Sequence, residues 1–162
     1  MTNCATMLIN GRECDVFAED LAEEIMILIE SRHEKESLPS IINMIKQHTG
    51  KRIAIIGVFI NEWDIELMPW HDDMVSRNNS SGTKAEETLS FITDKLIPYV
   101  KENLGDKNIT LGGFSLGGLF SIWASKQSHA FNKIAAMSPS LWIKKWNIYT
   151  KKNPTNARKK YS

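Results

Sequence analysis

Five residues near the middle of the chain have the types and spacing of a nucleophilic turn: Gly113, Phe114, Ser115, Leu116 and Gly117. They fit G-x-S-x-G, in which a serine hydroxyl is lifted above a parallel sheet on a sharp strand-to-helix turn. A serine hydroxyl is a poor nucleophile until a base takes its proton. The turn helps in another way. Gly113 and Gly117 remove side chains where strand and helix crowd together, Gly118 adds room, and the serine is exposed in a strained backbone conformation. The N–H of Leu116, which opens the helix, can point at a developing oxyanion. Losing one such donor costs about 3–4 kcal/mol of transition-state stabilisation. The pattern arises by chance in roughly one chain of this length in twenty, so its weight depends on the elements that carry it.

Those elements agree with the turn. Asn108-Ile109-Thr110-Leu111 before it reads as a short strand, and Leu116 to Lys126 after it as a buried helix. Further upstream, Thr6-Met7-Leu8-Ile9 is a short strand ended by Asn10-Gly11, and Asp15 to Glu24 has no firm assignment. Ile25 to Ile29 and Ile53 to Ile60 are continuous apolar runs of strand length, as expected of strands buried on both faces. Between them a helix starts near Pro39, with Ser37 as a cap, Leu38, Ile41, Ile42 and Ile45 as its apolar stripe and Gly50 as its end. Asn61 to Ser81 is a long loop, and the stretch Asn78 to Gly82 reads as mobile. Thr83-Lys84-Ala85-Glu86 is a capping-box pattern for a helix that Pro98 should kink or end. Ile134 to Met137 is a last short strand, closed by Ser138-Pro139-Ser140. This alternation predicts an α/β fold with a parallel sheet and right-handed crossovers. Ligands in such sheets gather at the carboxyl ends of the strands, where Ser115 lies.

Size and composition set the bounds. At 162 residues the chain is expected to form one domain over 1–162. A formal net charge of +1 points to no nucleic-acid or membrane partner. The segment Lys144 to Tyr161 is basic without balancing acids and reads as an irregular, solvated tail; nucleic-acid binding through it is a rival reading. Cys4 and Cys14 are too few for a disulfide framework. No signal peptide and no spanning helix are expected, so the expected location is cytoplasmic. No metal or other cofactor is expected: Asp64, Asp72 and Asp73 lack the His/Cys spacing of a zinc site.

Gly112-Gly113-Phe114-Ser115-Leu116-Gly117-Gly118-Leu119-Phe120 resembles the nucleophile segment of esterase D-like esterases in the α/β-hydrolase superfamily. Two further segments carry the likeness. Ala135 to Trp142 looks like the strand and Ser-Pro-Ser turn that follow in that family. Trp63-Asp64 with Leu67-Met68-Pro69-Trp70 resembles its tryptophan-bearing loop. The resemblance covers about Ile25 to Trp142. It implies an α/β-hydrolase-like sheet flanked by helices and hydrolysis of carboxylic esters. It also implies Ser115 as nucleophile and Leu116 as an oxyanion donor, with a second N–H from the loop after Ile29, where Arg32 is the candidate.

The family pattern then breaks. Its triads run Ser, then Asp or Glu, then His. No acid follows Ser115, and His129 lies beyond a helix spanning roughly 20 Å, whereas a base must sit within ~3 Å. The chain is therefore expected to be shortened, lacking the last strands, with weak or no activity. His33, in the loop bordering the site, is the substitute base considered first, and His71 the second. His48 is read as a helix-end residue. Trp63 and Trp70 fit either an acyl pocket or loop anchoring, and Trp123 fits the core. Missing strands would leave the Ile134 strand as an open sheet edge and favour self-association. The expected partner is otherwise a small ester; a non-catalytic remnant and an acyltransferase remain as alternatives.

Overall fold

The computed structural model describes residues 3–18, 21–75 and 83–154, without the side chains of residues 3 and 33–35. The predicted mobile stretch at 78–82 and the end of the basic segment, 155–162, lie outside the described residues.

A six-stranded sheet organises the chain, in the order β1-β2-β4-β3-β5-β6. It opens with an antiparallel hairpin, β1 (Asn3–Ile9) and β2 (Arg12–Ala18). Asn10 and Gly11, both at positive φ, make the two-residue turn that such a hairpin requires. Of the acidic stretch without an assignment, Asp15 to Ala18 belong to β2 and Glu24 opens β3. The sheet is mixed rather than wholly parallel, because β2 also pairs antiparallel with β4 (Ile53–Ile60). From there the expected pattern holds. β3 (Glu24–Ser31) lies parallel between β4 and β5 (Asn108–Phe114), and β6 (Lys133–Met137) follows parallel to β5.

The central strands are apolar on both faces because both are covered. β4 is buried along its whole length. One face, with Ile25, Ile27, Ile29, Ile56, Val58 and Leu111, packs under α3 (Ala85–Phe91), α4 (Ile97–Leu104) and α5 (Leu116–Gln127). The other, with Phe17, Met26, Leu28 and Ile55, is closed by Leu38 and Ile42 of α1 (Leu38–Thr49). Pro39 sits in the first turn of α1, where its missing N–H is harmless, and Gly50 (φ 62°) ends it in the left-handed region. Ser37 holds the N-cap position but makes no side-chain cap bond.

Two helix expectations are corrected. The capping box at Thr83 does not form: Lys84 holds the cap position, and its N–H donates to Ile65 O instead, so the loop rather than a side chain starts α3. Pro98 does not end the helix: helical backbone runs from α3 through a π turn over Ile92–Leu96 into α4, and that π turn lies immediately before the proline. Part of the segment read as irregular is also helical: α6 covers Trp146–Lys152.

Cys4 and Cys14 form no disulfide. Cys14 faces the core, and burial pushes its thiol up to about 12. No helix among the described residues is long and apolar enough to cross a membrane.

At the amino ends of the strands Glu24 ties three of them together. Its Oε1 accepts from Lys51 Nζ at 2.6 Å, just before β4, and both oxygens accept from Lys133 Nζ of β6 at 3.1 Å. The Lys51 hydrogen bond, supported by Lys133 against an opposing desolvation, holds the Glu24 carboxyl below its ordinary value of 4.5. A lowered carboxylate pKa stabilises the fold above the unfolded value and loses that contribution as pH falls through the folded one. Urea midpoints should therefore drop more steeply for wild type than for Glu24→Gln as pH falls from about 5 to about 3. Parallel curves would show that the clamp contributes nothing.

Candidate active site

Ser115 stands between β5 and α5 at φ 54°, ψ −116°. A non-glycine residue in that region costs about 1–3 kcal/mol and persists only where its surroundings impose it. Here they do. Ser115 N–H donates to Met137 O at 3.0 Å, and Ser115 O accepts from Leu119 N at 3.1 Å and from Ser140 N at 3.1 Å. Strand β6, helix α5 and the turn after β6 thus grip one residue. Leu116 opens α5, so its N–H has no acceptor within the helix.

Close packing explains the glycine before the turn. A Cβ on Gly113 would lie 2.6 Å from the backbone carbon of Gly117. Gly117 itself is under less pressure: a Cβ there would meet the Ile29 side chain at 3.3 Å and Trp63 at 3.4 Å. The crowding falls on Gly113 and, from the helix side, on Gly118, where a Cβ would lie 3.0 Å from Gly113 O and 3.2 Å from Met137 O.

The Ser115 hydroxyl is half-buried, and among the described residues its hydrogen-bond partner is Ser140 Oγ at 3.0 Å. Ser140 is 4% exposed. It closes the Ser138-Pro139-Ser140 turn, in which Ser138 also has positive φ, 43°. Apolar side chains surround this segment in the chain and face outward: Phe114, Met137, Leu141 and Trp142 are all exposed.

The tryptophan-bearing loop is anchored to the same region. It begins with the short helix α2 (Trp63–Glu66). Trp70 Nε1 donates to Lys144 O at 2.9 Å, and its ring packs on Trp146 and Tyr149 at centroid distances of 6.0 and 5.3 Å. Asp72, 1% exposed, accepts from Met74 N at 2.9 Å and from Lys144 N at 2.6 Å. Trp70 is thus an anchor for the loop, and Asp72 is occupied by two backbone donors. Trp123 lies in the core.

Among the described side chains, none of the remaining candidates makes a hydrogen bond or ion pair with Ser115. Arg32 lies just past the carboxyl end of β3, exposed, with Nε donating to Asn61 Oδ1 at 3.1 Å and its guanidinium 3.7 Å from Glu13. His33 is in the same 3-10 turn, Arg32–Ser37, and its side chain is outside the described set. His71 is exposed and bonded to Asp73 Oδ1 at 2.8 Å. That hydrogen bond, helped by Lys144, lowers the Asp73 pKa. His48 Nδ1 meets Met44 O at 2.8 Å in the last turns of α1. His129 is exposed past the far end of α5 and shares a hollow with Asn108, at the amino end of β5. Among the described residues no group of three or more His, Cys, Asp or Glu is placed to hold a metal ion. Sequence reasoning passed over the hydroxyl of Ser140, although the Ser-Pro-Ser turn that delivers it was visible.

Two substitutions test this construction. Gly113→Ala should destabilise by about 3 kcal/mol, because the clash is backbone against backbone; calorimetry showing an unchanged melting temperature would contradict the packing. Asp72→Ala should cost about 3 kcal/mol by stranding two N–H donors, and Trp70 fluorescence should shift toward that of exposed indole.

The comparisons with known proteins agree with this architecture. Among curated proteins no sequence matches the chain. Among solved structures, siderophore hydrolase EstA from Aspergillus nidulans superposes with a TM-score of 0.66 at 20% identity, covering 92% of this chain and 62% of its own. Enterobactin hydrolase IroE, in complex with DFP, gives 0.67 at 16% identity, covering 92% and 67%. Enterochelin esterase from Shigella flexneri gives 0.64 at 16% identity, covering 86% and 37%. The chain thus spans about two thirds or less of these structures' lengths, and it shares their α/β-hydrolase type of fold. The family described as "Putative esterase" matches residues 38–161, which is most of the chain, and the protein belongs to that family.

Proposed function

We propose that the protein is a carboxylic ester hydrolase in which Ser115 is the nucleophile and Leu116 N–H an oxyanion donor. The observation that carries this reading is the backbone of Ser115, held at positive φ between a strand and a helix by three hydrogen bonds. Such a turn leaves the hydroxyl at the carboxyl edge of the sheet and brings a free helix-start N–H beside it. Membership of an esterase family supports the choice of ester over other acyl substrates. The reaction is addition of Ser115 Oγ to the ester carbonyl, collapse to an acyl-enzyme with loss of the alcohol, and hydrolysis by water.

The rate is slow in this reading. Among the described residues the hydroxyl meets another serine, not a histidine. Removing triad members in hydrolases leaves about 10³–10⁴-fold acceleration over water from the oxyanion hole and binding. That range is the expectation here, unless His33 supplies the base. The arginine beside it, Arg32, is a second oxyanion candidate through its backbone N–H.

The test is hydrolysis of a short-chain p-nitrophenyl ester. Wild type should turn over above the buffer rate, and Ser115→Ala should fall to it. Equal rates for the two proteins would remove Ser115 from the mechanism.

A further inference from the structure

The hydroxyl beside the nucleophile has a defined direction. Ser115 Oγ and Ser140 Oγ are 3.0 Å apart, so one donates to the other. Ser140 is 4% exposed, whereas Ser115 is half-buried. If Ser140 accepted the bond, its own proton would be buried with no acceptor among the described residues, a costly arrangement for a hydroxyl. If Ser140 donates, every proton is satisfied: its own goes to Ser115 Oγ, and that of Ser115 turns to solvent. The backbone holds the pair in place, since Ser140 N–H donates to Ser115 O and Ser115 N–H to Met137 O. Neither Cα can move without breaking the turn.

We infer that Ser140 is a second hydroxyl of the reacting centre, donating to the nucleophile oxygen itself rather than to the carbonyl oxygen of the substrate. This rests on the reading of Ser115 as nucleophile. During attack the Ser115 Oγ–carbon bond forms, the carbonyl electron pair moves onto its oxygen, and the Ser115 proton passes to a solvent base, water or hydroxide. Ser140 keeps its proton throughout. Its hydrogen bond strengthens as Ser115 Oγ gains negative character, because bonds to an ionised acceptor are the stronger ones. The same bond serves the reverse role in deacylation, when Ser115 Oγ departs from the acyl carbon. A donor aimed at the nucleophile lowers the pH needed to ionise it, which suits a site whose hydroxyl is bonded to another serine.

Covalent labelling by an alkyl fluorophosphonate isolates the first step. Ser115 Oγ bonds phosphorus, the P–F bond breaks, fluoride leaves, and the serine proton goes to solvent. Labelling rates are read by intact mass from about pH 6 to about pH 10 for wild type, Ser140→Ala, Ser140→Thr and Ser140→Cys, with Ser115→Ala as the blank. Ser140→Ala keeps both backbone bonds and should label about tenfold more slowly, with the rising limb of its pH profile moved to higher pH. Ser140→Thr should retain the rate and the profile. Ser140→Cys, of similar size but a weak donor, should lie between them, and it reports even where the alanine variant folds poorly. Labelling of the Ala or Cys variant at the wild-type rate with an unmoved profile would overturn the role of Ser140 while leaving Ser115 in place. A wild type labelled no faster than Ser115→Ala would overturn the nucleophile and its partner together.

Discussion

Everything at the carboxyl edge of the sheet depends on how tightly β5 and α5 approach at Gly113. With a backbone carbon only 2.6 Å from where a Cβ would lie, the helix can begin at Leu116 only if position 113 has no side chain. That approach forces the reversal at Ser115 into a region that L-residues avoid. Three backbone hydrogen bonds then hold the reversal, reaching to β6, to α5 and to the turn at Ser140. The strain is stored where chemistry is proposed and is stabilised by elements around it. A sheet with one strand fewer at this point would lose Met137 O, and with it one of the three restraints.

Much of this was readable beforehand, for identifiable reasons. Buried parallel strands leave long apolar runs, so Ile25–Ile29 and Ile53–Ile60 announced β3 and β4 without ambiguity. The turn at Ser115 was legible because its glycines answer to sterics that few other residues satisfy. The hairpin was harder. β2 alternates Cys14, Val16 and Ala18 with charged Glu13 and Asp15, and its charges obscured the period; Asn10-Gly11 was the signal to follow. The start of α3 misled because Thr83 and Glu86 have the right types, whereas a backbone bond from Lys84 to Ile65 O decides the boundary. Such a long-range contact leaves no local trace. The same holds for Trp70 and Asp72, whose partners Lys144 and Trp146 lie more than seventy residues away.

The site joins two kinds of environment. The backbone of Ser115 is held by three hydrogen bonds, while Phe114, Met137, Leu141 and Trp142 expose apolar surface next to it in the chain. On the amino side of the sheet the balance is reversed: Glu24, Lys51 and Lys133 form an ionic clamp that is salt- and pH-sensitive. The two ends of the same strands thus answer to different solution conditions.

Glu66 links the opening hairpin to the rest. Its carboxylate accepts from the N–H groups of Asn61 and Glu62 at 3.1 and 3.0 Å, and pairs with Arg12 of β2 at 2.6 Å. Arg12 in turn donates to Phe59 O at 3.2 Å and lies over the Phe91 ring. One anion therefore fastens the first ribbon of the chain, laid down antiparallel, to the end of a parallel strand more than forty residues later. During synthesis that ribbon emerges before its anchor exists. It gains that mooring only once β4 and α2 have left the ribosome, so a ribbon made before its anchor is locked after it.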